Sequence, residues 1–300
     1  MTTNNINTHQ LSPIIKWAGG KEKELSYILS NKPDTFNHYY EPFVGGGSVY
    51  ASFDSDKYFI NDKSEELINL YKYIAGNSEK FYKWVGNIDC TWDNMLQYAL
   101  DNKALIDEYL LFRNDELTLR DLKIKIKEHI EENTQELNSV LSNDFSCYKD
   151  VYFSEIEKNM FRKITRMKKI EQEKTLMPEK DVFDNIETAF MSSLYMYFRC
   201  LYNDKTVNIK YPELATALFV FIRNYAYSGM FRYNDEGKFN VPYGGIAYNH
   251  KSMKKKLQYY QSQALKEKLA KTVIENMDFC EFFSKHNPTD NDFVFFRSSL

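Results

Sequence analysis

Apolar and polar positions change spacing along this chain, and each change predicts an element. After a polar stretch over residues 1–13, Ile14 to Lys21 opens the ordered region with a glycine-bearing loop, and Glu22 to Leu29 has helical spacing. Tyr39 to Val44 reads as a short strand running into Gly45-Gly46-Gly47, with a helix from Ser48. Lys57 to Asn61 is a second strand that ends on Asp62. Ser64 then caps a helix running to about Ala75, with Glu65 and Glu66 in its first turn, where carboxylates suit the helix dipole. The succession strand, glycine turn, helix, strand, acid is the first half of a βαβ unit.

The spacing changes again at residue 77. From there to about Arg199 the chain reads as long, mixed-charge helices without a proline between Pro42 and Pro178, which predicts a helical region inserted into a sheet domain. Tyr211 to Tyr227 is a further helix, and its apolar stretch 215–222 reads as buried helix or strand. Ser228 to Gly245 is rich in turn residues, and Lys251 to Lys271 reads as one basic helix. Thr272 to Glu275 is a strand, Asp278 starts a turn or helix, and Asp292 to Phe296 is a last strand. The expected division is a sheet domain over 11–76, a helical and recognition region over 77–250, and a return to the sheet domain over 251–300.

Composition narrows the setting. With 43% hydrophobic residues in 300, the chain has enough material for a full core. Its start does not read as a signal peptide and no apolar run has the length of a membrane span. Cys90, Cys147, Cys200 and Cys280 form no Cys-x-x-Cys, so neither a zinc ribbon nor a disulfide framework is predicted, and a cytoplasmic location is expected. The net charge of −3 speaks against a uniformly basic nucleic-acid binder. Two local basic runs remain: Arg162, Lys163, Arg166, Lys168 and Lys169, and Lys251, Lys254, Lys255 and Lys256. Each reads somewhat more readily as a solvated helix face.

Three segments carry candidate chemistry. In Glu41-Pro42-Phe43-Val44-Gly45-Gly46-Gly47-Ser48 a strand delivers the backbone to a turn whose glycines let a ligand approach closely. A dinucleotide fingerprint would need another glycine at position 50, which is Tyr50, so a nicotinamide cofactor is disfavoured. Asp62 stands where an acid accepts hydrogen bonds from a ribose, or simply caps a helix. Lys16-Trp17-Ala18-Gly19-Gly20-Lys21 lacks the phosphate-loop spacing; Trp17 suits stacking or core packing, and Lys21 suits anchoring a carboxylate or carbonyl. The third segment, 223–244, interleaves arginine, asparagine and aromatics around turn glycines. Arg and Asn read base edges and tyrosines stack or touch phosphate, although an aromatic cluster packed on a helix has the same composition.

Together these segments resemble the Dam-type DNA adenine-N6 methyltransferases, over about Leu11 to Phe295. The resemblance lies in Ile15-Lys16-Trp17-Ala18-Gly19-Gly20-Lys21, in Glu41 to Gly47, in Ile60-Asn61-Asp62, in Arg232-Tyr233-Asn234 with Phe239 to Gly244, and in Asp278-Phe279. It implies an α/β fold: a Rossmann-like S-adenosylmethionine methyltransferase sheet, incomplete at the C-terminus, with a largely helical insertion. It implies Trp17, Lys21, Glu41, Phe43, Gly45, Gly47, Asp62, Asp278 and Phe279 as cofactor-binding residues. Tyr227, Ser228, Arg232 and Pro242 would lie against double-stranded DNA. By the same resemblance the cofactor is S-adenosylmethionine, no metal takes part, and a cognate restriction endonuclease is a partner. Gly245-Ile246 departs from the basic or aromatic residues usual for the family there.

The family continues its last matching strand into Asp-Pro-Pro-Tyr, which positions the target amine and stacks the flipped base. Here Asp292 to Phe296 is followed by Arg297-Ser298-Ser299-Leu300. One inserted T in codons assumed for Phe-Leu-Asp-Pro-Pro-Tyr-Asp yields Phe-Phe-Arg-Ser-Ser-Leu and a stop. The expectation is therefore a chain with no catalytic residues, either inactive unless a separate C-terminal fragment supplies the motif, or a non-catalytic DNA- or cofactor-binding remnant. An unrelated kinase or dehydrogenase is disfavoured by the missing loop spacings.

Overall fold

The computed structural model describes residues 11–141, 145 and 148–296. In chain order these form α1 (Leu25–Ser30), β1 (His38–Glu41), α2 (Ser48–Ser52), β2 (Lys57–Asn61), α3 (Glu65–Ala75), α4 (Glu79–Asp101) and α5 (Ala104–Arg113). There follow α6 (Leu119–Glu132), α7 (Thr134–Val140), α8 (Lys149–Glu173), α9 (Glu179–Asn203), α10 (Lys205–Lys210) and α11 (Pro212–Tyr225). The chain closes with α12 (Lys254–Tyr260), α13 (Gln263–Ala270), β3 (Thr272–Glu275), α14 (Phe279–His286) and β4 (Phe293–Val294). Two compact units result: one from the described residues up to Tyr82 together with those from Lys255 onward, the other Lys83–Lys254.

The first unit is a parallel sheet in the order β3-β2-β1-β4. Tyr39 pairs with Tyr58 and with Phe293, and Phe59 with Val273, so period-2 alternation sends neighbours to opposite faces. One face packs Tyr39 with Phe53, Tyr58 and Phe293. The other stacks Tyr40 on Phe59 at 4.5 Å and closes with Phe282, Met277 and Val294. Both faces are covered, as parallel sheets require. The order changes direction beside β1, between β2 on one side and β4 on the other, which is the switch point at whose carboxyl end such sheets bind ligands.

The second unit is helical, with α8 packed along α9 and α9 along α11. Its core is aromatic: Trp92, Phe221, Tyr225 and Tyr243 meet around the Trp92 indole, whose Nε1 donates to the Asn249 carbonyl at 2.9 Å. Among the described residues no helix is long and apolar enough to cross a membrane.

Several expected bounds shift for physical reasons. The helix expected from Glu22 starts only at Leu25. β1 stops at Glu41 rather than Val44, because Pro42 has no N–H for the ladder and the Val44 N–H turns to the Asn61 carbonyl. The single basic helix over Lys251–Lys271 is two helices. Buried Tyr260 and Leu265 are five residues apart, out of phase for one continuous stripe, and the chain becomes extended at Ser262 between them. The last strand is two residues long, although the Phe295 N–H continues its ladder to the Tyr40 carbonyl. Cys147 and Arg297-Ser298-Ser299-Leu300 lie outside the described residues.

Candidate functional site

At the carboxyl end of β1 the backbone makes a tight turn that three different neighbours hold. Gly45 has φ +51° and Gly47 φ +81°, left-handed values that favour glycine. The Gly45 N–H donates to Asp62 Oδ2 at 3.0 Å, and its carbonyl accepts from the Tyr71 hydroxyl at 3.1 Å. Space is as restrictive as conformation. A Cβ on Gly45 would lie 2.8 Å from the Trp17 ring, on Gly46 2.2 Å from the Ile15 carbonyl oxygen, and on Gly47 2.4 Å from the Tyr71 hydroxyl.

Asp62 is the brace. Its second carboxylate oxygen accepts the Ser64 N–H at 2.9 Å, and its backbone carbonyl accepts from the Asn276 amide at 2.8 Å. The acid thus ties the glycine turn to the start of α3, and each oxygen keeps a lone pair beyond its backbone partner. Ser64 caps α3 through the Leu67 N–H, as its type and position predict.

Trp17 and Lys21 arrive on the loop before α1. The Trp17 ring lies against Gly45, and the Lys21 N–H donates to Ser48 Oγ at 3.2 Å. Among the described residues the Lys21 ammonium meets only Glu24, at 3.5 Å on the surface, a pairing exchanged at little cost. Glu41 ends β1, buried, and accepts from the Tyr39 hydroxyl at 2.6 Å. Burial first, and the Glu41 charge second, push the Tyr39 phenol well above its usual range; the same two causes act on Tyr71. Both phenols thus stay protonated, Tyr39 donating to the Glu41 side chain and Tyr71 to the Gly45 carbonyl.

Phe43 and Phe279 meet at 5.6 Å beside β1, and Phe296 joins both, at 5.5 Å and 6.0 Å. Phe279 and Phe296 are exposed, so this aromatic corner opens outward at the switch point. Asp278 does not join it through its carboxylate, which caps α14 by accepting the Cys280 N–H at 2.9 Å. Of the nine cofactor-site expectations, the structure gathers Trp17, Gly45, Gly47 and Asp62 into one contact network and Phe43 with Phe279 into a second. Glu41 lies at the strand end between the two, and Lys21 is linked to the turn only through its backbone.

Asn61 is the residue that sequence reading passed over. Its carboxamide donates to the Pro42 and Met277 carbonyls at 3.0 and 3.1 Å and accepts the Met277 N–H at 3.0 Å. It joins the exits of β1, β2 and β3. A polar residue at the buried end of an apolar strand is the signal that marks it.

In the second unit, residues 226–245 form a clamped turn. The Tyr227 N–H donates to the Pro242 carbonyl at 2.9 Å, and Tyr233 bridges to Phe239. Asn203, at the end of α9, takes the Phe239 N–H at 2.8 Å and donates to the Phe239 carbonyl at 3.0 Å. Tyr195 and Arg199 both donate to the Val241 carbonyl. Phe231, Tyr233 and Phe239 pack together, so part of the segment is the aromatic cluster that its composition allowed. Tyr227, Ser228, Arg232 and Pro242 are all exposed on this one element. Ser228 holds φ +53°, uncommon for a side-chain-bearing residue, and Arg232 Nε donates to the Asn240 carboxamide at 3.0 Å.

Comparison with known proteins gives these sites a context. The sequence pattern of the D12 class N6 adenine-specific DNA methyltransferase family matches residues 17–133 and 129–296. The type II methyltransferase M1.LlaDCHI of Lactococcus lactis subsp. cremoris is 38% identical over 101 residues, covering 34% of each chain. The type II methyltransferase M.MjaIII of Methanocaldococcus jannaschii is 30% identical over 115 residues, 35% of this chain and 38% of that one. The DNA adenine methylase of Haemophilus influenzae is 35% identical over 69 residues, 23% and 24% of the two chains. The chain spans about a third of the length of the first two relatives.

Proposed function

The chain belongs to the D12 class of N6 adenine-specific DNA methyltransferases, and we propose that its first unit binds S-adenosylmethionine while its second binds duplex DNA around a target adenine. The observation that carries this reading is the glycine turn at the sheet's switch point, closed by Asp62, Tyr71 and Trp17 so that no side chain fits there. The residues suit the cofactor. Gly45 to Gly47 offer bare backbone, the Asp62 oxygens keep lone pairs for ribose hydroxyls, and Phe43 with Phe279 offers an open aromatic face to a purine. Lys21 pairs with a carboxylate once it leaves Glu24. When bound, S-adenosylmethionine supplies a methyl group activated by the sulfonium. The carboxylate of Glu41 at the end of β1 favours a cation there.

On the DNA side, Tyr227, Ser228, Arg232 and Pro242 form the contact. Arg232 offers its guanidinium to a base edge or phosphate, and Tyr227 its ring to an unstacked base. Transfer to the adenine amine rests on positioning, for which the family uses Asp-Pro-Pro-Tyr. The 300-residue sequence contains no Asp-Pro-Pro-Tyr and places Arg297-Ser298-Ser299-Leu300 after its last matching strand. With Arg-Ser-Ser-Leu standing where the family has that motif, these residues are accordingly proposed to bind cofactor and DNA without methyl transfer.

The test is calorimetric titration with S-adenosylmethionine, run beside transfer of labelled methyl to duplex DNA. Saturable cofactor binding with no transferred label is the expected result. No binding by folded protein sinks the cofactor reading, and label on adenine sinks the inactivity.

A further inference from the structure

The basic run on α8 has a structural setting that its sequence did not reveal. Arg162, Lys163 and Arg166 lie within two turns on one side of the helix, while the opposite side buries Met160, Ile164 and Met167. Neutral amides hold two of them. Arg162 Nη2 donates to the buried Asn159 carboxamide oxygen at 2.7 Å, and that oxygen also takes the Ser192 hydroxyl at 3.1 Å. Lys163 Nζ reaches the Asn185 carboxamide of α9 at 3.3 Å. Neighbouring lysines differ: Lys158 pairs with Glu155, Lys168 with Asp115 and Lys169 with Glu173. Among the described residues no carboxylate pairs with Arg162, Lys163 or Arg166. Burial lowers the Lys163 ammonium, and the charges of Arg166 and Arg162 lower it further, with no acid acting in the other direction.

Three like charges close together on one helix face, two of them held there, are an unfavourable arrangement that an external anion relieves. Their position indicates which anion. Asn185, the partner of Lys163, lines a groove of about 430 Å³ together with Ile170 and Ile246. Ile246 directly follows the clamped turn that carries Tyr227, Arg232 and Pro242. The groove, which Lys174 and Asp181 also line, thus joins the helix-α9 partner of Lys163 to the end of that turn within the same unit.

We propose that the face of α8 bearing Arg162, Lys163 and Arg166 docks the phosphate backbone of the duplex, flanking the 226–245 segment. This inference rests on the DNA-binding reading above. It assigns a sequence-independent share of affinity to the α8 face and leaves base contacts to the turn.

The test measures equilibrium binding of the full chain to a labelled duplex of arbitrary sequence between 50 and 200 mM salt, by fluorescence anisotropy. Each neutralised phosphate contributes about 0.9 to the slope of log affinity against log salt. The triple variant Arg162→Gln, Lys163→Gln, Arg166→Gln is expected to lower that slope by about 2 to 3 and weaken binding at least about tenfold on every duplex, with S-adenosylmethionine affinity unchanged. Arg166→Gln alone removes no hydrogen bond within the fold and should lower the slope by about 1, so the inference stays testable if the triple variant misfolds. Unchanged slopes in folded variants of a wild type that binds DNA overturn this inference alone. A wild type that binds no duplex overturns both it and the reading beneath it. Loss of binding to polyglutamate with duplex affinity intact assigns the face to an acidic protein and also overturns the proposal.

Discussion

The two turns that matter most here are built on opposite principles. At the end of β1 the backbone itself is the surface proposed to meet the cofactor: Gly45, Gly46 and Gly47 are walled in by Trp17, Ile15 and Tyr71, and side chains brace the turn from behind. In the 226–245 segment the backbone is only a mount. Asn203, Tyr195 and Arg199 hold it to α9, and the groups proposed to meet DNA are exposed side chains. In the first turn, fold and binding share the same atoms and fail together. In the second they are separable, and substitutions can be chosen to break one and not the other.

The largest effect is expected at the first turn. Gly46→Ala places a Cβ 2.2 Å from a backbone oxygen held in place, since the neighbouring Ile14 N–H is hydrogen-bonded to the Gly46 carbonyl at 2.9 Å. Overpacking of this kind costs about 3 kcal/mol. Urea unfolding should register that loss together with loss of S-adenosylmethionine binding. A variant with wild-type stability that merely binds less would show that fold and site are separable here after all.

The sheet side of the first unit should also give the molecule a pH signature. Lys268 is buried over the Tyr50 and Tyr58 rings and donates to the Phe53 carbonyl; burial lowers its ammonium to about 8. The unfolded value is about 10.4, so the charged form is penalised only in the folded state. The penalty is complete below pH 8 and is relieved as pH rises toward 10, by up to about 3 kcal/mol. Beyond 10, Tyr39 and Tyr71 act in the opposite direction, because burial raises their folded values while unfolded phenols ionise. Thermal unfolding should thus show stability rising between pH 8 and 10, and Lys268→Met should flatten that rise. A flat wild-type profile would remove Lys268 from the account.

A smaller loss is expected at the mount of the second turn. Asn203→Ala leaves the Phe239 N–H and carbonyl without their partners, which costs about 2 kcal/mol. The expected outcome is weaker duplex binding with unchanged cofactor affinity. Equal loss of both would mean that the two sites are coupled.

How much of this could be read beforehand follows the same division. β2, α3 and β3 begin and end where expected, because each is bounded by a strong local signal such as Asp62 or the Ser64 cap. The break between α12 and α13 was hidden by charge: Lys254 to Lys256 and the lysines beyond Lys266 look continuous, and only the five-residue step from Tyr260 to Leu265 betrays the change of phase. The glycine turn was visible as a pattern. Asp62, one of its braces, was visible too; Tyr71 was not, since it acts through a backbone partner that no spacing rule marks. Asp278 was legible as a site candidate, but that its carboxylate also caps α14 was not. The mount of the second turn escaped notice because Asn203 and Phe239 are 36 residues apart. Long-range clamps of that kind leave no periodicity.

The sharpest separation of the two principles is Arg232→Ala. Arg232 is exposed, and among the described residues its side chain bonds only Asn240 on the same turn, so its removal should change stability by less than about 0.5 kcal/mol. Duplex affinity should still fall about tenfold, because a guanidinium contact to a base edge or phosphate is worth about 1–3 kcal/mol. The distribution of that loss identifies the contact. A uniform loss across duplexes, with a salt slope smaller by about 1, means phosphate; a loss confined to duplexes sharing one base means direct reading of that base. A variant as stable as wild type with undiminished affinity would remove Arg232 from the interface, leave the α8 face to account for the binding, and remove the reason for holding this turn so firmly against α9.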